Sequence, residues 1–255
     1  MKKNSTKLFL FPTTAGSGSE ATTFSVIYFD NKKISYDPKR NCVDKIIYIP
    51  KVLMNCDKKN RASSGIDAFN QSVESIFSKG STRESIKYSK KSINILLKNL
   101  VKHIKKPNKS TSLNMGRAAF YSGKAINIAK TNAPHALSYP LTYYYNIKHG
   151  NAVSLTSLRV LKFNYKNINK SENKEALMKK FNIVHKIFKA KNIEDLEKKI
   201  RKIYKDSYID LNFKDYKIEI SKARQIILKN INLERLNNNP IKIRKIDLIN
   251  NILID

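Results

Sequence analysis

Residues Ala133 to Gly150 read APHALSYPLTYYYNIKHG, and they hold two of the chain's four histidines, His135 and His149. Each histidine stands beside a residue that punctuates structure. Pro134 precedes the first, and a proline is well tolerated in the first turn of a helix, where its missing N–H has no partner to lose. Gly150 follows the second. The spacing predicts a short helix from Pro134 to about Tyr143, a turn through Tyr145-Asn146-Ile147-Lys148, and a second helix opening at His149. Two imidazoles at two helix starts joined by a short loop can face one point, and neutral imidazole is the commonest protein metal ligand. The same spacing also suits two ordinary capping or packing histidines, so further residues must decide.

A helical period upstream supplies them. Ile66, Phe69, Val73, Ile76 and Phe77 step by three and four as far as Gly80. Asp67 and Gln71 are four apart and share one face of that helix. Asp67 is either a carboxylate ligand or a first-turn acid favoured by the helix dipole. Gln71 offers an amide oxygen, or is a surface residue. With His135 and His149 they make an O,O,N,N donor set suited to Fe2+, Zn2+ or similar ions. Glu74 reads as a solvated or packing-rim carboxylate, and His103 and His185 read as structural. Tyr139 lies one turn after His135 and faces the same cleft, as a proton relay or as ordinary aromatic packing.

The rest of the chain divides at Pro50. Before it, Leu8 to Phe11, Phe24 to Phe29 and Val43 to Ile49 read as strands, with a turn at Asp30-Asn31-Lys32. Between the first two lies PTTAGSGSEATT, Pro12 to Thr23, crowded with small and hydroxylated residues. Such a loop can approach an anion closely, or it is a plain connection. After Pro50 the period is helical. A capping-box form at Ser81 to Glu84 starts a helix that stops before Pro107. Further helices are predicted over Leu113–Ala129, Glu172–Phe188, Ile193–Tyr204, Asp215–Lys229 (or a strand start at its IEIS) and Ile241–Ile254.

Whole-chain numbers exclude several classes. No run of about 18 apolar residues occurs, so no transmembrane helix is expected. The apolar run Leu8–Phe11 is shorter than the roughly 7 residues a secretory signal needs, and a cytoplasmic protein is expected. Cys42 and Cys56 lack zinc spacing and read as reduced thiols. Lys and Arg number 50 against 20 Asp and Glu, a formal charge of +30. That balance suits a nucleic-acid binder. Here, however, lysine is spread over nearly every segment and no nucleic-acid-reading motif accompanies it, which reads as compositional drift. None of the seven glycines forms a G-x-G-x-x-G or a P-loop, and none follows Gly150, so the last part should be helix-rich.

Taken together, the wording resembles the iron-containing (group III) alcohol dehydrogenases. The marks are PTTAGSGSE at Pro12 to Glu20, SGIDAFNQSVES at Ser64 to Ser75, RAAFYSGKAINIA at Arg117 to Ala129, APHALSYPL with KHGNAVSL up to Leu155, and NLERLNNNP at Asn232 to Pro240. The resemblance implies a mainly α chain: the helical metal- and substrate-binding domain of the dehydroquinate synthase-like fold over 51–255, preceded over 1–50 by strands left from a Rossmann-like nucleotide domain. It implies a metal held at Asp67, His135 and His149, with Gln71 where the family has another histidine, which leaves Fe2+ or Zn2+ open. It also implies dinucleotide contacts, NAD(H) or NADP(H), from Thr13, Thr14, Ser17 and Lys33, and hydride transfer to a small aldehyde. The branch it looks most like reduces phosphonoacetaldehyde, with Arg61, Arg117 and Lys124 as candidates for a basic rim. The family's Gly-Gly-Gly-Ser turn is missing, so an N-terminally truncated member is expected. Such a chain either works with a separately encoded nucleotide-binding portion, a homodimer being one option for its assembly, or survives as an inactive helical remnant or basic interaction protein.

Overall fold

A computed structural model describes residues 6–29, 32–36 and 43–254, with backbone alone at 26–29 and 32–35. Short strands lead the chain: β1 (Phe9–Leu10), β2 (Ser25–Phe29), β3 (Lys32–Tyr36) and β4 (Lys45–Ile46). β1 pairs in parallel with β4, Phe9 opposite Lys45. β2 and β3 make an antiparallel ribbon with Ile27 opposite Ile34. β3 begins where the sequence predicts only a turn, and Asp30, Asn31 and Cys42 lie outside the described residues. Leu8, Phe9 and Phe11 stay exposed around the two-stranded parallel pair. Parallel strands ordinarily have both faces covered, so this is an open apolar edge.

Helices follow: α1 (Pro50–Asn55), α2 (Lys58–Phe77), α3 (Arg83–Lys105), α4 (Lys109–Ala129), α5 (Ala133–Tyr145), α6 (His149–Lys166), α7 (Lys174–Phe188), α8 (Ile193–Asp206), α9 (Ile220–Asn230), α10 (Leu233–Asn237) and a helical turn, α11 (Lys245–Asp247), that runs into a π turn over Leu248–Ile252. Among the described residues, no helix is long and apolar enough to cross a membrane. Asp57 caps α2 by accepting from Asn60 N at 2.9 Å. Thr82 and Ser85 close a reciprocal capping box on α3, one residue later than the sequence predicts.

The C-terminal expectations need correction. Asp215–Lys229 is not one helix: a 3-10 turn at Phe213–Tyr216 and a left-handed Lys217 precede α9. Ile241–Ile254 is not one helix either. Ile241 and Ile243 are buried while Lys242 and Arg244 are exposed, the alternation of an extended segment laid on the core.

α2 is the axis of the molecule, packed against α3, α4 and α6. From Ala62 to Phe77 it is buried on nearly every side although it carries Asp67, Asn70, Gln71, Ser72, Glu74 and Ser75. Buried polar groups of this kind must find partners. Ser72 Oγ donates to Ser92 Oγ at 2.8 Å, and Ser92 Oγ to the Ala118 carbonyl at 2.8 Å. Ser75 and Ser89 hydroxyls meet at 2.6 Å. Each bond is worth about 1 kcal/mol net. Tyr204 Oη donates to Asn70 Oδ1 at 2.6 Å, and Asn70 Nδ2 to Ser154 Oγ at 3.1 Å.

His103 is structural, as its setting in the sequence suggests. It is buried, with Nδ1 3.2 Å from Ser112 Oγ. Burial, helped by the Arg61 guanidinium, pushes its pKa down to about 4. An unfolded imidazole titrates near 6.5. Between those values the unfolded chain binds the extra proton. The contribution to stability is therefore whole above about pH 6.5 and is lost as pH falls through about 4. His103→Gln is expected to flatten this acid limb, by about 2–3 kcal/mol between pH 7 and 4, when urea unfolding is compared at the two pH values. An unchanged acid limb would show the ring to be hydrated.

Candidate metal centre

Three helices deliver the three side chains. Asp67 comes from the middle of α2, His135 from the first turn of α5 just after Pro134, and His149 from the first residue of α6. The first turn of α6 is seated directly on α2. A Cβ at Gly150 would lie 1.9 Å from the Ser63 carbonyl oxygen and 3.0 Å from Asp67 N, so only glycine permits this approach.

The side chains converge. His135 Nε2 is 3.3 Å and His149 Nε2 is 3.9 Å from Asp67 Oδ1. One ligand atom from each residue lies within 4.8 Å of the other two. Donors bound to one ion at about 2.1 Å stand roughly 3.0–3.4 Å apart, so the set is close to what a single divalent ion requires. Asp67 and His135 are buried, while the His149 side chain is 32% exposed, which opens the site on one side. His135 Nε2 is buried and makes no hydrogen bond, although it points at the acid. These residues fit a divalent cation.

Glu74 is the residue that sequence reasoning misses. It is buried, not a packing-rim group. Its Oε1 is 2.7 Å from His135 Nδ1, and its Oε2 accepts from Asn132 N at 3.0 Å. Asn132 Nδ2 returns a bond to the Glu74 carbonyl at 3.0 Å. Asp67, Gln71 and Glu74 recur at i, i+4 and i+7, a polar stripe on one helix face that could have revealed the role. Burial pulls the His135 pKa down, but Glu74 and Asp67 outweigh it and push it up to about 9. Two buried carboxylates around one imidazole make a site that attracts a cation.

Gln71 is brought to Asp67 but faces it with the wrong atom for a ligand. Its Nε2 donates to Asp67 Oδ2 at 3.0 Å, and its Oε1 accepts from Ser122 Oγ at 2.8 Å. Tyr139 is half-buried and its ring stacks on His149, with centroids 6.0 Å apart at 24°. Burial, against the opposing pull of Arg235, pushes the Tyr139 pKa up to about 12, so its hydroxyl keeps its proton at neutral pH.

The hydroxyl loop lies against α2 and α4. A Cβ at Gly16 would meet Ser64 Cβ at 2.6 Å. Gly18, at φ +61°, would meet the Ala119 carbonyl oxygen at 2.3 Å. Ala15, Gly16 and Gly18 are buried, and Thr13, Thr14 and Ser17 are exposed. Lys33 sits in β3 opposite Tyr28, and its side chain lies outside the described residues. Arg61 is not on a substrate rim. Its guanidinium donates to the carbonyls of Met54 (3.1 Å), Cys56 and Ile104 (3.0 Å). Arg117 is exposed on α4, and Lys124 lies over the Phe120 ring.

Comparison with known proteins fits this geometry. A family model described as Fe-containing alcohol dehydrogenase family, C-terminal, matches residues 61–254. The chain is 33% identical over 157 residues to phosphonoacetaldehyde reductase of Streptomyces viridochromogenes, covering 60% of this chain and 40% of that one. It is 29% identical over 158 residues to long-chain-alcohol dehydrogenase 1 of Geobacillus thermodenitrificans, covering 61% and 40%. Among solved structures, sulfoacetaldehyde reductase from Bifidobacterium kashiwanohense in complex with NAD+ superposes with a TM-score of 0.78 at 25% identity, covering 95% of this chain and 62% of that one. An alcohol dehydrogenase from Oenococcus oeni superposes at 0.83 with 22% identity, covering 98% and 66%. The chain thus spans about 40% of the length of the curated relatives it matches.

Proposed function

We propose, because this chain belongs to the Fe-containing alcohol dehydrogenase family, that its helical body binds a divalent metal and takes part in the reduction of a small aldehyde by NAD(P)H. The observation that carries the reading is the convergence of Asp67, His135 and His149 on one point at the foot of α5 and α6. Asp67, His135 and His149 would hold the ion, Fe2+ first and Zn2+ second by the donor set. When bound, it would supply Lewis-acid polarisation of the aldehyde oxygen.

The chain's own groups have separable roles in this reading. The exposed side of His149 admits the substrate. Tyr139, protonated at neutral pH, holds the His149 ring by stacking and has a proton to give at its Oη. Thr13, Thr14 and Ser17 present hydroxyls on a loop packed against Ser64, three residues before Asp67, and would meet the dinucleotide's phosphates. Residues 1–50 belong to the nucleotide side and 51–255 to the metal side. The substrate proposed is phosphonoacetaldehyde, on the likeness to the Streptomyces reductase. The uncovered apolar edge at Leu8, Phe9 and Phe11 suits the docking of a further nucleotide-binding polypeptide.

The test is anaerobic incubation with Fe2+ or Zn2+, NADH or NADPH, and phosphonoacetaldehyde beside neutral aldehydes of similar size. NAD(P)H oxidation is expected, fastest with the phosphonate, and reduced at least about a hundredfold in His149→Ala, a rise of about 3 kcal/mol in the barrier. A chain that takes up metal yet neither binds nor oxidises NAD(P)H, even with a relative's nucleotide domain added, would be the helical remnant instead.

A further inference from the structure

We infer that Gln71 and Glu74 are positioning residues, one for each buried ligand, and that Gln71 is not itself a ligand. The metal site of this chain is then a two-histidine, one-carboxylate site oriented from a single face of α2. The inference rests on the metal-binding reading above and deepens it.

The geometry assigns each partner. Gln71 Nε2 donates to Asp67 Oδ2 at 3.0 Å, which leaves Oδ1 as the oxygen turned toward both imidazoles. The amide orientation is fixed by chemistry. Its oxygen already accepts from Ser122 Oγ, and an amide oxygen turned toward Asp67 would set two acceptors against each other. Glu74 Oε1 takes the Nδ1–H of His135, which leaves Nε2 as the nitrogen turned toward Asp67 and the site. A carboxylate on the far nitrogen of a ligating imidazole raises its basicity and holds its plane. Glu74 is in turn held by the Asn132 N–H, at the N-terminus of the helix that carries His135. Because all three groups share one face of a buried helix, ligand and partners keep their spacing without a loop between them.

Where the resemblance places a third histidine, this chain thus carries an amide that orients the acid. The donor set loses one imidazole, and the charge of Glu74 behind His135 offsets part of that loss.

The test is Co2+ titration of the full chain followed by its visible spectrum, with the Zn2+-loaded, 15N-histidine-labelled protein read by NMR. Glu74→Gln keeps an acceptor for the Asn132 N–H but removes the charge. It is expected to weaken Co2+ affinity by about 10- to 100-fold and to move the His135 Nδ1–H resonance upfield. The Co2+ bands at saturation should stay in place, because the ligands are unchanged. Gln71→Met is expected to weaken affinity less and likewise to leave the bands in place. Ser122→Ala, which touches neither ligand, should show a smaller loss in the same direction if Gln71→Met does not fold. Unchanged affinity and an unmoved resonance in Glu74→Gln would overturn the role of Glu74. A changed band pattern in Gln71→Met would overturn the role of Gln71 by showing it to be a ligand. Wild-type chain that takes up no Co2+ would overturn the metal reading, and this inference with it.

Discussion

Asp67→Asn is expected to lower Zn2+ and Co2+ affinity at least about a hundredfold. Complete protein sites bind zinc with about 10–16 kcal/mol shared among a few ligands, so one ligand is worth about 3 kcal/mol, or about two powers of ten. Asp67 is the centre of the set, because its Oδ1 lies 3.3 Å from His135 Nε2 and 3.9 Å from His149 Nε2. An asparagine of the same shape carries no charge. Its amide nitrogen would also have to face either Gln71 Nε2, donor against donor, or the imidazoles, where a ligand atom is needed. Thermal unfolding gives an independent reading. A metal at about 100 times its Kd stabilises the folded chain by about 2.7 kcal/mol, and Asp67→Asn should lose most of that gain while the metal-free proteins are compared separately. A variant that still gains the full amount would mean the ion sits elsewhere.

The second large effect is expected at Gly150→Ala, with a loss of about 3 kcal/mol of stability and a fall in metal affinity in whatever fraction still folds. The added methyl would stand 1.9 Å from the Ser63 carbonyl oxygen. That oxygen belongs to the backbone of α2 and has no flexible end to swing aside. α6 must lift off α2, and His149, the residue just before, must move with it. Gly80→Ala makes a fair control, because its new Cβ would meet the Ala129 carbonyl oxygen at 3.2 Å, a contact that slight adjustment relieves. Urea unfolding of the two variants beside the wild type checks the contrast. Equal stabilities for Gly150→Ala and Gly80→Ala would show the α2–α6 approach to be slack.

Much of the fold is legible in the sequence because the signals are local. Pro134 and Gly150 set α5 and α6 within a residue or two of where they lie, and the period from Ile66 to Phe77 finds the end of α2 but misses its first two turns, which begin at Lys58; the three ligands follow from those elements. The misses have physical causes. β3 is held by pairing with β2, which no single segment announces. The Asn-rich stretch before Pro240 leads into an extended, alternately buried run whose apolar spacing alone resembles a helix. Glu74 escapes notice because its class is usually solvated, and its burial depends on α5 folding across it. The Gln71 amide depends on Ser122, 51 positions away in the chain. Beyond Gly150 no glycine is available, so left-handed bends after α7 and before α9 fall to Lys189 and Lys217. Sequence rules that wait for glycine do not see them.

The enclosure of α2 from Ala62 to Phe77 also accounts for a gap in the chain's spelling. Lysine is scattered almost everywhere, yet it is absent from Leu8 to Asn31, from Ala62 to Ser78 and from Thr131 to Ile147. The last two carry Asp67 and His135, and from Ala62 to Ser78 and from Thr131 to Leu141 nearly every residue is buried, so that an ammonium there would have no water to reach. The first includes the turn wedged between α2 and α4. In a chain this rich in lysine, two of the three longest lysine-free runs thus coincide with the walls of the metal site.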